Sequence, residues 1–213
     1  SCAHTSKDEC SGRGLEKRER AAWLTALQRA AAEHDETAIE HALAGMSQAS
    51  HLRYYWNPTL VMALDALHAQ MVRSRHAPAA HAQFAALAAL STEALVPGPQ
   101  PLFEACQANA PAPRRDTCQH IAALLQSADT IAAQLAGYSL QRRLAPPDSA
   151  QARIAQERHR ALQARVAREA RFETAFLPWF RNRIAAHRIE LMRRHEREED
   201  CINAVLLEHH VEI

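Results

Sequence analysis

The sequence predicts an all-α protein, and three features of its composition support that prediction. Its 213 residues include 45 alanines but only 14 valines and isoleucines together. Alanine is the best helix former, whereas β-branched residues favour strands. Five glycines are too few for the many tight turns of a β-sandwich or barrel. Because ten prolines divide the chain into helical blocks, we expect an irregular bundle of about seven to eight helices.

The first blocks of the chain follow a small, polar segment. Residues 1–14 predict a flexible leader, which leaves 15–213 as a single helical domain. Apolar residues at helical spacing predict a helix over 15–33. Asp35 is the expected N-cap of the next helix. Asn57 is the expected N-cap of a third helix, with Pro58 at its first position.

The middle of the chain alternates short helices with proline-rich connections. Pro78 begins an alanine-rich helix to about residue 95, and the segment VPGPQP (96–101) stops it. A short helix with Leu102, Phe103 and Cys106 and a loop over 108–116 come next. A longer helix is expected over 118–137, where Gly137 interrupts or caps it.

The last block is a long helical segment interrupted only by a proline. It begins after Asp148 or Ser149, either of which can be the N-cap, and it runs to about Cys201. A straight helix of this length would measure about 75 Å, too long for a compact domain of this size. Proline removes a backbone donor and disfavours helical geometry at the residue before it. We therefore expect a break or sharp kink near Pro178, with the two halves folded back or crossing.

A repeat architecture is the alternative arrangement of these helices. Trp23 and Trp56 are 33 positions apart, and Pro78, Pro111 and Pro146 are spaced by 33 and 35. This period suits tetratricopeptide-like helix pairs. The pattern of small and large residues does not align between the blocks, which favours the irregular bundle.

The five cysteines indicate disulfide chemistry rather than a zinc site, because none lies in a CxxC motif. Cys106 and Cys118 flank one loop between two predicted helices. A bridge between them would join a helical hairpin and would imply an oxidising compartment. Two buried thiols are the alternative. Cys10 and Cys201 form a second candidate pair if Cys2 is reserved for another role, although Cys2 and Cys10 could also pair with each other or stay free.

The segment that begins with Cys2 and continues as a short polar leader resembles the mature N-terminus of bacterial lipoproteins. That resemblance implies acylation of Cys2 and a flexible tether after it. Ala3 following the cysteine resembles the members sorted to the outer membrane. The expected location is therefore the periplasm, with the chain tethered to the outer membrane.

No motif for catalysis, metal binding or cofactor binding is recognisable. GxGxxG, GxxxxGK[ST] and GxSxG are absent, as are HExxH and ExxH. Asp65 and His68 share a helix flank and could be partly buried, so an enzyme with an unrecognised helical site there is one alternative. A structural pair is the other. The stripe of His187, Glu190, His195 and Glu198 predicts a solvated, salt-bridged face. We expect no cofactor and no metal.

Charge excludes a general attraction to nucleic acid or to an anionic membrane, because the formal net charge is +1. Residues 151–197 hold 12 of the 23 arginines, but seven glutamates between positions 157 and 199 reduce the local excess to a few charges. Because no motif for catalysis, metal, cofactor or nucleic acid is recognisable, a protein-binding role is the leading prediction. Tyr54, Tyr55 and Trp56 are the expected contact residues, since Tyr and Trp dominate interface energetics. The alternative is that these aromatic side chains pack in the hydrophobic core.

The stretch CQHIAALLQSADTIAAQLAG (118–137), with the lipoprotein-like start, resembles small helical envelope proteins of Gram-negative bacteria. These include periplasmic immunity proteins against effectors of bacteria-killing type IV secretion. The resemblance implies a stoichiometric inhibitor that occludes the active site of a secreted toxin. A structural or assembly lipoprotein that scaffolds an envelope complex is the alternative.

Overall fold

The structure of the chain is a computed structural model that describes residues 23–49, 54, 56–73 and 98–208, without the side chains of 71–73 and 172–185. These residues form eight helices and no strand, which confirms the predicted all-α fold. Among them, no helix combines the length and the apolar character needed to cross a membrane. The predicted leader and the helix predicted to begin at Pro78 lie outside the described residues.

The helices differ widely in length. They are α1 (23–33), α2 (Glu36–Ser47), α3 (Trp56–Arg73), α4 (Gln100–Ala105), α5 (Ala112–Gln126), α6 (Ile131–Leu144), α7 (Ala150–Arg194) and α8 (Glu198–Glu208). The shortest has 6 residues and the longest 45. Over the described part of the chain, these lengths show no regular repeat of helix pairs.

Two of the three predicted N-caps are present. The Asp35 carboxylate accepts a hydrogen bond of 3.0 Å from the backbone N–H of Ala38, and the Ser149 hydroxyl accepts one of 3.1 Å from Ala152. Both satisfy a backbone donor that has no partner inside its helix. The prediction for Asn57 is wrong: α3 already begins at Trp56, and the Asn57 side chain bonds to groups distant in sequence.

The helix predicted over 118–137 is two helices in the structure. α5 ends at Gln126 and α6 begins at Ile131, because Ser127 and Thr130 bond to the backbone instead. The Ser127 hydroxyl donates to Leu124 O at 2.9 Å, and the Thr130 hydroxyl accepts from Ala133 N at 3.3 Å. Such local bonds compete with helix continuation.

Gly137 neither interrupts nor caps a helix but lies inside α6. A Cβ at this position would lie 2.7 Å from Gln126 N and 2.8 Å from Ala122 O. A glycine there therefore permits the close approach of α6 to the backbone of α5.

The chain divides into two compact units. Of the described residues, the first unit contains 23–49, 98–127 and 136–153. Within it α2 packs against α5, and Arg114 on α5 reaches Glu36 and Glu40 on α2, each at 2.6 Å. The expectation of a single domain over 15–213 stays a prediction.

The second unit contains residues 54, 56–73, 128–135 and 154–208. One apolar cluster joins α3, the end of α7 and α8: Leu60, Leu64, Ile189, Leu191, Met192, Cys201 and Val205. All five buried polar side chains of the described residues also lie in this unit: Asn57, Asp129, Thr130, Gln134 and Glu169. Each such group must be hydrogen-bonded to offset its desolvation.

Helix α7 reverses its direction, as the sequence predicts for the region of Pro178. The backbone is helical throughout Ala150–Arg194, so a complete break is not observed. Arg188 Nη1 nevertheless lies 2.9 Å from Glu169 Oε1, whereas 19 residues of straight helix would separate these positions by about 28 Å. Because the two side chains together cannot span that distance, the chain must turn back between them. Pro178, which removes one helical hydrogen bond, lies at the midpoint of that interval.

Candidate functional site

The cysteine pair predicted from its spacing forms a disulfide. Cys106 follows α4 and Cys118 lies in α5, with Cα atoms 5.7 Å apart. Both cysteines are fully buried. The bond closes the loop between these helices in the first unit, where it constrains the unfolded chain and thereby stabilises the folded one.

The second predicted pairing is corrected by the structure, because Cys201 is a free thiol. Its sulfur lies in the apolar cluster of the second unit and accepts a hydrogen bond of 3.2 Å from Asn57 Nδ2. Burial raises the pKa of the Cys201 thiol to about 11, against the opposing effects of Arg188 and of the bond from Asn57. Such a thiol stays protonated and unreactive at neutral pH. Cys2 and Cys10 lie outside the described residues.

The aromatic residues Tyr54 and Trp56 are fixed within the second unit. The backbone N–H of Tyr54 donates to Asp129 Oδ1 at 2.7 Å, and burial together with the Asp129 charge raises the pKa of Tyr54 to about 12. Trp56 is half-buried and packs on the cluster that contains Leu60. For these two residues the geometry favours the role in the core; Tyr55 lies outside the described residues.

A buried polar network fixes the end of this segment to α6 and α8. Asp129 is almost fully buried, and its carbonyl oxygen accepts from the backbone N–H of Glu198 at 2.9 Å. Glu198 Oε2 in turn accepts from the backbone N–H of Ile131 at 2.9 Å. A carboxylate at this position caps the start of α6 and complements the helix dipole.

Asn57 supplies a second link between α3 and the end of α7. Its Nδ2 donates to His195 O at 3.0 Å as well as to the Cys201 sulfur, and the residue is 1% exposed. This amide therefore ties α3 to the turn before α8, a positioning function that local sequence does not reveal.

The residues considered for an unrecognised enzyme lie on the surface. Asp65 and His68 are exposed on α3, in contrast to the partial burial that we expected. The Asp65 carboxylate bonds to the guanidinium of Arg193 on α7. The two side chains are thus on a solvated face, and Asp65 takes part in an ion pair between helices.

Two of the four residues in the stripe from His187 to Glu198 contact polar side chains, as predicted. His187 Nε2 lies 2.5 Å from Glu208 Oε2, and Glu190 forms an ion pair with Arg194 at 3.0 Å. Glu198 departs from the prediction, because its carboxylate caps α6 instead of facing solvent. Among the described residues, no group of three or more His, Cys, Asp or Glu side chains could hold a metal ion.

The first part of α7 exposes one entire side. Its buried positions are only Ala155, Leu162 and Glu169, which recur every seven residues and form a narrow seam. At about 100° per residue, Arg160, Ala164 and Arg171 lie opposite this seam, whereas Ala161, Ile154 and Arg158 follow round one flank, with Arg158 next to the seam. We call this continuous exposed surface the arginine face; its residues are Ile154, Arg158, Arg160, Ala161, Ala164 and Arg171.

The arginine face carries an excess of positive charge over the described part of the chain. Arg158 and Arg160 form no ion pair with any described residue, and Arg171 donates to Ala167 O of its own helix. Exposed Glu157 and half-buried Arg168 lie on the same side. Glu169 cannot contribute, since it is buried in the seam and pairs with Arg188. Arg165, beside the seam, pairs with Glu199 on α8 at 2.6 Å.

Comparisons with family models, with curated proteins and with solved structures find no match to this chain.

The arginine face is hidden in a count of charges along the sequence, because the face is formed by residues that are neighbours around the helix. Such a count includes Glu169 among the acids that offset the arginines. The heptad spacing of Ala155, Leu162 and Glu169 would have indicated a buried seam and an opposite face with arginine in excess. Which arginines are neutralised by distant partners is set by the tertiary structure alone.

Proposed function

We propose that this chain is a non-enzymatic protein-binding module of the bacterial cell envelope, and most specifically an immunity-type inhibitor that occludes a secreted toxin. The observation that carries this proposal is the arginine face of α7. A regular helix, folded back on itself and packed through its opposite side, presents arginine and apolar side chains in a fixed geometry. Arginine is enriched at the centres of protein interfaces.

The disulfide between Cys106 and Cys118 supports the location of this activity. Disulfides form and persist in oxidising compartments and are rare in the cytosol. A periplasmic binding protein would meet an incoming effector where that effector acts. The expected resemblance of residues 118–137, with the lipoprotein-like start, to small helical envelope proteins agrees with the same compartment.

A protection assay tests the proposed function. A strain that lacks this chain is confronted with sibling cells that deliver type IV secretion effectors, and its survival is compared with that of the parent strain. We expect survival to fall, and to be restored by the intact gene supplied in trans.

Two controls make the assay specific. Attackers without a working secretion system should kill neither strain, and a reporter fused to the chain should be found in the periplasmic fraction. Equal survival of both strains would contradict the immunity function. If deletion instead breaks up an envelope complex in unchallenged cells, the chain is an assembly protein.

A further inference from the structure

We propose that the arginine face of α7 is the docking surface for an acidic protein surface. The inference rests on the proposed function and adds the site and the chemistry of the partner. It starts from a difference between the arginines of the helix: Arg165 pairs with Glu199, and Arg188 pairs with the buried Glu169, whereas Arg158 and Arg160 on the arginine face form no ion pair with a described residue.

The positive charge of the arginine face indicates which kind of partner binds there. Arg158, Arg160 and Arg171 are exposed, and Glu157 is the one exposed acid among them. A partner with carboxylates opposite these guanidiniums would form charge-assisted, bidentate hydrogen bonds. A second copy of this chain, docked through the same face, would place arginines against arginines. The charge of the face therefore fits a different, negatively charged molecule rather than a symmetric dimer of this chain.

The apolar residues of the face distinguish a protein from a polyphosphate. Ile154 is 57% exposed, and the exposed Ala161 and Ala164 lie between the arginines around the helix. Small side chains let a partner helix approach closely, and Ile154 offers apolar area that phosphates cannot use. Glu157 would repel a nucleic acid backbone but can accept hydrogen bonds from a protein.

Site-specific photo-crosslinking in the native cells identifies what docks there. The full chain carries benzoylphenylalanine either at Ala161, on the face, or at Ala132, which is exposed on α6 of the same unit. We expect Ala161→benzoylphenylalanine to crosslink to one protein with an acidic surface and Ala132→benzoylphenylalanine not to do so. Equal crosslinking from both positions would contradict the proposal.

The affinity for that crosslinked protein is then measured by calorimetry with three variants. Arg158→Glu with Arg160→Glu should weaken binding by about tenfold or more, because carboxylates then face carboxylates. Ile154→Asp should also weaken it, since the apolar contact is lost. Arg29→Glu, a reversal of an exposed arginine in the first unit, is the matched control and should bind like the parent. Melting curves like that of the parent confirm that each variant is folded.

The remaining outcomes separate this proposal from the proposed function. A short DNA duplex, or vesicles of phosphatidylglycerol, that bind as tightly as the protein and lose affinity in the same variants would overturn the protein-docking proposal. Full-strength binding by the reversed double variant, together with normal protection in cells, would refute the site and leave the immunity function intact. Loss of protection only upon deletion of the gene would likewise refute the site alone.

Discussion

Asn57 shows how one side chain joins distant parts of the second unit. Its amide bonds to a backbone carbonyl at His195 and to the sulfur of Cys201. Because both acceptors lie more than a hundred residues away, interpreting the local NP motif as a helix start could not find this role. The cap at Asp35 was predictable because its donor lies three residues away.

Replacement of Asn57 should therefore destabilise the protein. We expect Asn57→Ala to lower the free energy of unfolding by about 1–3 kcal/mol, since it leaves the partly buried His195 carbonyl and the buried Cys201 sulfur without this donor. Urea unfolding followed by circular dichroism measures the change. Thr59→Ala, an exposed neighbour on α3, should stay within about 0.5 kcal/mol of the parent. Equal effects of the two substitutions would refute the role of the amide.

The Tyr54 hydroxyl and the Cys201 thiol make the stability of the protein sensitive to alkaline pH. Burial raises the pKa of Tyr54 from 10.0 to about 12 and that of Cys201 from 9.0 to about 11. The unfolded chain loses these protons first, so stability is complete below pH 9 and falls as the pH rises through the folded values. In urea titrations at successive pH values, Tyr54→Phe should flatten the loss between pH 10 and 12, and Cys201→Ala the loss between pH 9 and 11. Unchanged slopes would contradict this account.

At the scale of the element, the course of α7 is predictable from the sequence, but its ion pairs and its charged surface are not. The reversal near Pro178 was predictable from length and from the chemistry of proline. The ion pairs between the parts of α7 before and after Pro178 were not predictable, because they depend on which charges come close after the reversal. The charge of the arginine face follows from the same pairing, so the candidate site was hidden from a count along the chain.

The ion pair of Glu169 with Arg188, on either side of Pro178, gives a direct test of the reversal. Glu169→Ala leaves the guanidinium of Arg188, whose side chain is 21% exposed, without this carboxylate. We expect a loss of about 2–3 kcal/mol in the free energy of unfolding, because a partly buried charge loses this close carboxylate. Glu157→Ala, on the exposed side of the same helix, should change stability little. A neutral Glu169→Ala would argue for a straight α7.

At the scale of the whole molecule, composition was sufficient for the fold class and insufficient for the arrangement. Many alanines and few glycines predict helices throughout the described chain, and the structure has them. The split at Ser127–Thr130 follows from bonds of these two side chains to backbone groups three residues away. The division into two units depends on contacts between distant residues. Such contacts leave no local pattern in a single sequence.

The disulfide provides a test of the proposed periplasmic location. Protein purified from native envelopes without reductant should contain the bond between Cys106 and Cys118 and a free Cys201. Peptide mapping by mass spectrometry reads this directly, and Cys106→Ser with Cys118→Ser should lower stability by about 3 kcal/mol. Two free thiols at 106 and 118 in such material would remove the support for an oxidising compartment.

The central claim is that this helical protein protects its cell by binding through the arginine face of α7. Survival under attack by sibling cells, measured in strains that carry the parent gene, the Arg158→Glu and Arg160→Glu double variant or the Arg29→Glu control, tests it most directly. All three proteins must accumulate to equal levels. We predict that the parent and the control protect and that the double variant does not. Full protection by the double variant would contradict the claim.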